Sequence, residues 1–290
     1  MSPPDERTLA ARRDRATRAF GDCAATVLVG AGVPLGKPGG LDQTYPFLPH
    51  PRYFWLSGAR RTGGVLAWEP GGAWTHFVRP ATAEERLWEG EPDVPAGTDV
   101  AGLADWLKAR AGRPVAVLGA GVKDVTGDEA LAAILRDALD AARRPKDAAE
   151  LALLRRAVSA TAAGHAKARA LLRPGISERE LQIELEAEMF RHGATGTGYG
   201  TIVGVGDHAA VLHFEPGPRR AAAGDTVLID AGGEIDGYTA DVTRTWAVGE
   251  RFTPEQQAIR DAVLAAHAEG IRRCRAGTEW HDVHRGAVTA

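Results

Sequence analysis

Residues 228–245, Leu-Ile-Asp-Ala-Gly-Gly-Glu-Ile-Asp-Gly-Tyr-Thr-Ala-Asp-Val-Thr-Arg-Thr, decide how the second half of the chain is read. Asp236-Gly237 is a preferred two-residue turn between antiparallel strands. With that turn Ile235 faces Tyr238, and counting outward in step sets Asp241 opposite Gly232. Asp230 lies two residues from Gly232 on the same strand and therefore on the same face. Asp230 and Asp241 become diagonal neighbours, roughly 7–8 Å apart at the backbone, and their carboxylates can converge. A bulge at Gly232-Gly233 would change this register. Two carboxylates held so close repel, and each raises the pKa of the other. A buried arrangement makes sense with divalent cations between them, and oxygen ligands suit manganese-, magnesium- or cobalt-type ions better than a thiolate zinc site does. The apolar run Thr226-Val227-Leu228-Ile229 predicts a deep position for Asp230. The residues alone also admit a plainer reading, two exposed hairpin aspartates.

Working outward, residues 147–172 read as a long amphipathic helix closed by Arg173-Pro174-Gly175. Ser177 and Glu180 form a capping-box pattern for a helix over 178–192, stopped at Gly193. Strands are predicted at 201–206, 210–215, 225–232 and 237–248. Thr253-Pro254-Glu255-Gln256 opens a helix to about residue 275, with Gly277 just beyond. Trp280-His281-Asp282-Val283-His284 starts one more, and the chain reaches Ala290 with no stop signal, as if cut. Upstream, the charged break Ala142–Lys146 ends a stretch in which strands and helices alternate: helix 6–20, strand 24–30, loop 31–50, strands 64–70 and 73–80 about Gly71-Gly72, helix 99–111, strand 114–120 and helix 128–142. That alternation predicts an α/β domain over 1–142, followed by a second domain over 147–290.

Composition narrows the partners. The 290 residues carry 35 basic and 38 acidic side chains, a net charge of -3, which gives no basic excess for nucleic acid or an anionic membrane. No apolar run reaches the ~18 residues of a membrane span, and the polar start MSPPDERTLAARRDR lacks a secretory signal. Cys23 and Cys274 form no metal-type spacing and no disulfide framework, so two structural thiols in a reducing cytoplasm are expected.

At the two aspartates the chain resembles the metallopeptidase family that includes aminopeptidase P, prolidase and methionine aminopeptidase. The family's hairpin has the form Asp-x-Gly…Gly-Tyr-x-x-Asp-x-Thr-Arg-Thr. The resemblance implies that Asp230 and Asp241 are metal ligands, with Asp241 shared between two metals, and that the Thr243 side chain supports the site. Gly198-Tyr199-Gly200-Thr201-Ile202-Val203-Gly204 and Val211-Leu212-His213-Phe214 also match. They imply a supporting place for Tyr199 and, for His213, a place at the substrate mouth, hydrogen-bonding substrate or moving protons without ligating metal. Read by itself, His213 could equally be a core histidine. Phe47-x-x-His50-Pro51-Arg52-Tyr53-Phe54-Trp55-Leu56-Ser57-Gly58 and Thr75-His76-Phe77-Val78-Arg79-Pro80 resemble the aminopeptidase P type of N-terminal domain, which methionine aminopeptidase lacks. This does not separate aminopeptidase P from prolidase.

The implied fold is thus an aminopeptidase P-type α/β domain followed by an incomplete α+β pita-bread domain. The implied activity is removal of an N-terminal residue ahead of a penultimate proline, by hydroxide activated at two divalent ions, manganese by preference, cobalt or zinc as alternatives. The implied partners are peptides with proline in second place and, at full length, further copies of the chain. The family site has five ligands, and a histidine and two glutamates lie beyond the stretch present here. His267, His281 and His284 match none of them, nor do Glu250 and Glu279. The 290 residues alone are therefore expected to be inactive. Two other readings stay open, a prolidase acting on Xaa-Pro dipeptides and a catalytically dead relative that binds.

Overall fold

The computed structural model describes residues 4–249 and 251–290; Glu250 lies outside the described residues. The chain divides into two compact units, one ending at Ala149 and the other starting at Glu150.

The first unit runs α1 (Glu6–Phe20), β1 (Thr26–Gly30), α2 (Pro51–Ser57), β2 (Val65–Trp68), β3 (Thr75–Val78), α3 (Ala83–Glu89), β4 (Thr98–Asp99), α4 (Leu103–Lys108), β5 (Val115–Val117) and α5 (Glu129–Arg143). Its sheet has the order β4-β3-β2-β1-β5. The pairs β1/β5 and β3/β4 are parallel, and β1/β2 and β2/β3 are antiparallel. Every residue of β1 is buried, as a central strand covered on both faces requires. The expected hairpin turns at Gly71-Gly72, where the Gly72 N–H donates to the Glu69 carbonyl at 3.0 Å. Local capping explains α2, a helix the aromatic pattern does not announce. Pro51 stands in the first turn, the His50 ring accepts from the Arg52 N–H at 3.2 Å, and Gly58 ends the helix at φ 65°. The helix turns Tyr53, Trp55 and Leu56 into the core and leaves Phe54 half-buried.

The second unit contains α6 (Ala148–Leu171), α7 (Glu178–Arg191), β6 (Gly196–Thr197), β7 (Ile202–Val205), β8 (Thr226–Ala231), β9 (Gly233–Ile235), β10 (Tyr238–Thr239), β11 (Val242–Ala247), α8 (Pro254–Arg273) and α9 (Trp280–Val288). The α7 capping box is present in both directions, Ser177 Oγ accepting from the Glu180 N–H and Glu180 accepting from the Ser177 N–H. Two three-stranded sheets follow, β10-β9-β6 and β11-β8-β7. On β8 the side chains alternate: Val227, Ile229 and Ala231 are buried in the core with Leu181, Leu185 and Met189, while Asp230 faces the other way. Among the described residues no helix is long and apolar enough to cross a membrane.

One predicted strand is absent. Residues 206–210 form a single 3-10 turn and 211–217 are irregular, in place of a strand over 210–215. Both edges of β8 are already occupied, by β7 and by β11. Pro216 and Pro218 remove backbone donors, and the Gly217 N–H turns to the Glu178 carboxylate at 3.1 Å instead of a ladder.

Candidate metal centre

The Asp236-Gly237 turn closes as expected, with both residues at positive φ, 52° and 85°. Tyr238 pairs with Ile235, Thr239 with Glu234, and further out Val242 with Ala231 and Thr243 with Asp230. The pairing stays in step through the Gly232-Gly233 corner, so no bulge intervenes. Gly232 is required there, because a Cβ on it would stand 1.7 Å from the Ala240 carbonyl oxygen. The two strands pass in backbone contact at this point, and Asp230 and Asp241 leave it on one face.

Their carboxylates meet at a single donor. The Tyr199 hydroxyl lies 2.5 Å from Asp230 Oδ1 and 3.2 Å from Asp241 Oδ1. Burial, then the hydrogen bond to Asp230 and the negative charge of both aspartates, pushes the Tyr199 phenol well above its ordinary value. The phenol therefore stays protonated and keeps donating. Tyr199 reaches this position because the Gly198 N–H donates to the Gly232 carbonyl at 2.8 Å, fastening the preceding loop to the hairpin corner. Asp230 is flanked on its central strand by Ile202 on one side and Thr243 on the other, all three on the same face.

The expectation of a deep Asp230 needs correction. Asp230 is half-buried and Asp241 is exposed. The alternation of β8 explains this, since its buried face is filled by Ile229 and Ala231 and Asp230 points away from that core. The aspartates instead line an open pocket of about 670 Å³ with Tyr199, Leu212, His213 and Phe214. His213 is exposed on the pocket-lining loop and is not a core histidine. His267, His281 and His284 are exposed on α8 and α9.

As a donor set, two converging carboxylates suit a hard divalent cation whose remaining positions are taken by water. Among the described residues no third His, Cys, Asp or Glu joins them in a group able to hold a metal. Nor does any cation of the described residues form an ion pair with either aspartate. Two residues near the pocket carry no signal in the sequence pattern. His208 stacks on Phe214, with ring centroids 4.1 Å apart, and Glu178 is wholly buried beneath it.

The profile of metallopeptidase family M24 matches residues 152–290. The matched residues, nearly all of the second unit, are similar to that family. The Xaa-Pro aminopeptidase of Escherichia coli K12 is 43% identical over 133 residues, covering 46% of this chain and 30% of the relative. Xaa-Pro aminopeptidase 2 of Streptomyces coelicolor is 33% identical over 278 residues, covering 85% of this chain and 58% of the relative. The chain thus spans less than two thirds of the length of these relatives. The solved structure of Pseudomonas aeruginosa aminopeptidase PepP superposes with a TM-score of 0.80 at 27% identity, over 99% of this chain and 72% of that one. The fold class expected from the sequence, an α/β unit followed by part of a pita-bread domain, is the one found. Within the M24 match lie the hairpin, Tyr199 and His213 together.

Proposed function

We propose that this chain carries part of the metal centre of an aminopeptidase that removes the N-terminal residue of peptides with proline in second place. The observation that carries the reading is the convergence of Asp230 and Asp241 on one Tyr199 hydroxyl, in a pocket that His213 also lines. The likeness to Xaa-Pro aminopeptidases supports it.

In this reading Asp230 and Asp241 hold divalent ions, two manganese ions when the ligand set is complete. The bound ions would supply an acidified water and a polarised carbonyl. The chain's own residues prepare for that chemistry. Tyr199 holds the two carboxylates on one side of the pocket. Thr243 stands opposite Asp230 on the same face, where it could support that carboxylate. His213, on the open side, can take or give a hydrogen bond to the peptide. Leu212 and Phe214 give the pocket apolar wall against which a proline ring packs by shape. An Xaa-Pro bond has no N–H to engage, so shape carries the selection.

The test is calorimetric titration of Mn2+ into the 290-residue chain and into Asp241→Ala. Saturable binding by the first and its loss in the second is the expected result; equal heats from both would sink the assignment. Two carboxylates are a thin ligand set, so the chain by itself is expected to release no residue from an Xaa-Pro-Xaa peptide. Manganese-dependent release would show that the pair suffices for turnover.

A further inference from the structure

We propose that Glu178 is a positioning residue for the loop that carries His213. The consequence for catalysis rests on the metal-centre reading above. The clamp itself stands on separate geometry.

Glu178 is the first residue of α7, and its side chain is 0% exposed. A wholly buried carboxylate needs its full complement of donors. Here they come from both roots of one loop and from its middle. Oε1 accepts from the Val205 N–H at 3.0 Å, where β7 ends, and from His208 Nδ1 at 2.7 Å. Oε2 accepts from the Gly217 N–H at 3.1 Å, where the loop returns. One side chain therefore ties residues 205, 208 and 217 together.

The helix backbone reinforces the tie. The Glu178 and Arg179 N–H groups, in the first turn of α7, donate to the Arg219 and Gly217 carbonyls, both at 3.0 Å. From His208 the constraint passes by stacking to Phe214, the neighbour of His213. With Leu212 88% exposed and Val211 52% exposed, little apolar burial holds this loop down. Polar contacts to Glu178 are what give it one shape. The carboxylate matches the site because all three partners present N–H groups. A Gln side chain has one accepting oxygen and would turn its NH2 toward at least one of them.

Amide hydrogen exchange and NMR on the 290-residue chain test this, comparing wild type with Glu178→Gln. Exchange of the Gly217 amide and of residues 209–215 should quicken at least tenfold in the variant. The ring-current shift between His208 and Phe214 should vanish, while protection of β8 and β11 stays unchanged. Unchanged loop exchange and ring shifts would overturn the proposal. Should Glu178→Gln lose β8 and β11 protection as well, His208→Ala decides. It leaves the buried carboxylate in place and should still release residues 209–215; a rigid loop in that variant overturns the proposal too.

Added Mn2+ gives a readout that a merely structural role would not move. Bound at the aspartates, it should broaden both the Val242 amide and the His213 ring in wild type. In Glu178→Gln only Val242 should stay broadened, and equal broadening of His213 in both proteins counts against positioning. Absence of broadening at Val242 in wild type defeats the metal-centre reading instead, and the exchange result then judges the clamp alone.

Discussion

Carboxylates in the first unit and carboxylates at the pocket of the second keep opposite company. In the first unit Asp140 faces Arg52 at 2.6 Å, Asp147 faces Arg12 at 2.7 Å, Glu69 faces Arg110 at 2.5 Å, and Glu85 sits between Arg61 and Arg79. Each of these four acids is matched by a guanidinium, and the Arg61 hydrogen bond, with Arg79 beside it, brings Glu85 down to about 2. Asp230 and Asp241 have no such partner among the described residues, only a shared phenol. The same residue type is thus used to fasten backbone in one place and is left electrostatically unmatched in the other. Unmatched charge converging in a pocket is what a cation site requires before the cation arrives.

The contrast between the two regions depends most on the backbone corner that brings the two aspartates together. Gly232→Ala would drive a methyl group into the Ala240 carbonyl and push the hairpin strands apart. We expect the second unit to lose about 3 kcal/mol. Mn2+ binding should disappear with it, as seen by urea unfolding and calorimetry; unchanged stability would mean the strands do not approach as described. Next in size, Asp241→Ala should weaken Mn2+ at least about tenfold, or about 1.4 kcal/mol. Asp140→Ala, which removes an arginine-matched acid, should leave that affinity alone. Equal losses from the two would erase the distinction.

Tyr199→Phe tests the shared donor. Without cation the two carboxylates would face each other unscreened, and the second unit should lose about 1 kcal/mol. Mn2+ should restore most of it, because the cation replaces the proton donor; a melt insensitive to Mn2+ in this variant would speak against the pair.

The remaining tests are pH limbs of the first unit. Burial first, then the charge of Arg13, lowers His76 from 6.5 to about 4. The unfolded chain binds the proton more readily in that window, so this stability is full above pH 6.5 and is lost as pH falls toward 4. Glu85 adds a second limb, full above 4.5 and lost as pH falls through about 2. Urea midpoints of the first unit measured from pH 7 to pH 3 should decline, and His76→Gln should flatten the upper part of the decline.

Features specified by neighbouring residues were legible in the sequence. The Asp236-Gly237 turn, the Ser177/Glu180 capping box and the Gly71-Gly72 hairpin are contacts within a few positions, and each formed as read. The strand-pairing step about that turn carried Asp230 and Asp241 to one face for the same reason, since register propagates from the turn. The family motif in 228–245 was equally local.

Other features depended on distant partners. The mostly apolar run at 210–215 reads as a strand, yet both edges of β8 are taken and Glu178, 39 positions before Gly217, claims the loop's donor. The Tyr199 hydroxyl reaches across 31 and 42 positions to its two acceptors, and no spacing rule predicts such a meeting. Asp230 is shallower than its apolar run implies, because such a run marks a buried strand but not which face its one polar residue takes. Neighbouring residues suffice to give the turn, the register and the identity of the two acids. That the acids share one phenol, stand unmatched at an open pocket and face a loop tied to a buried carboxylate emerges only once the chain is folded. Local sterics and backbone hydrogen bonding set the former; which distant donors and edges remain free sets the latter.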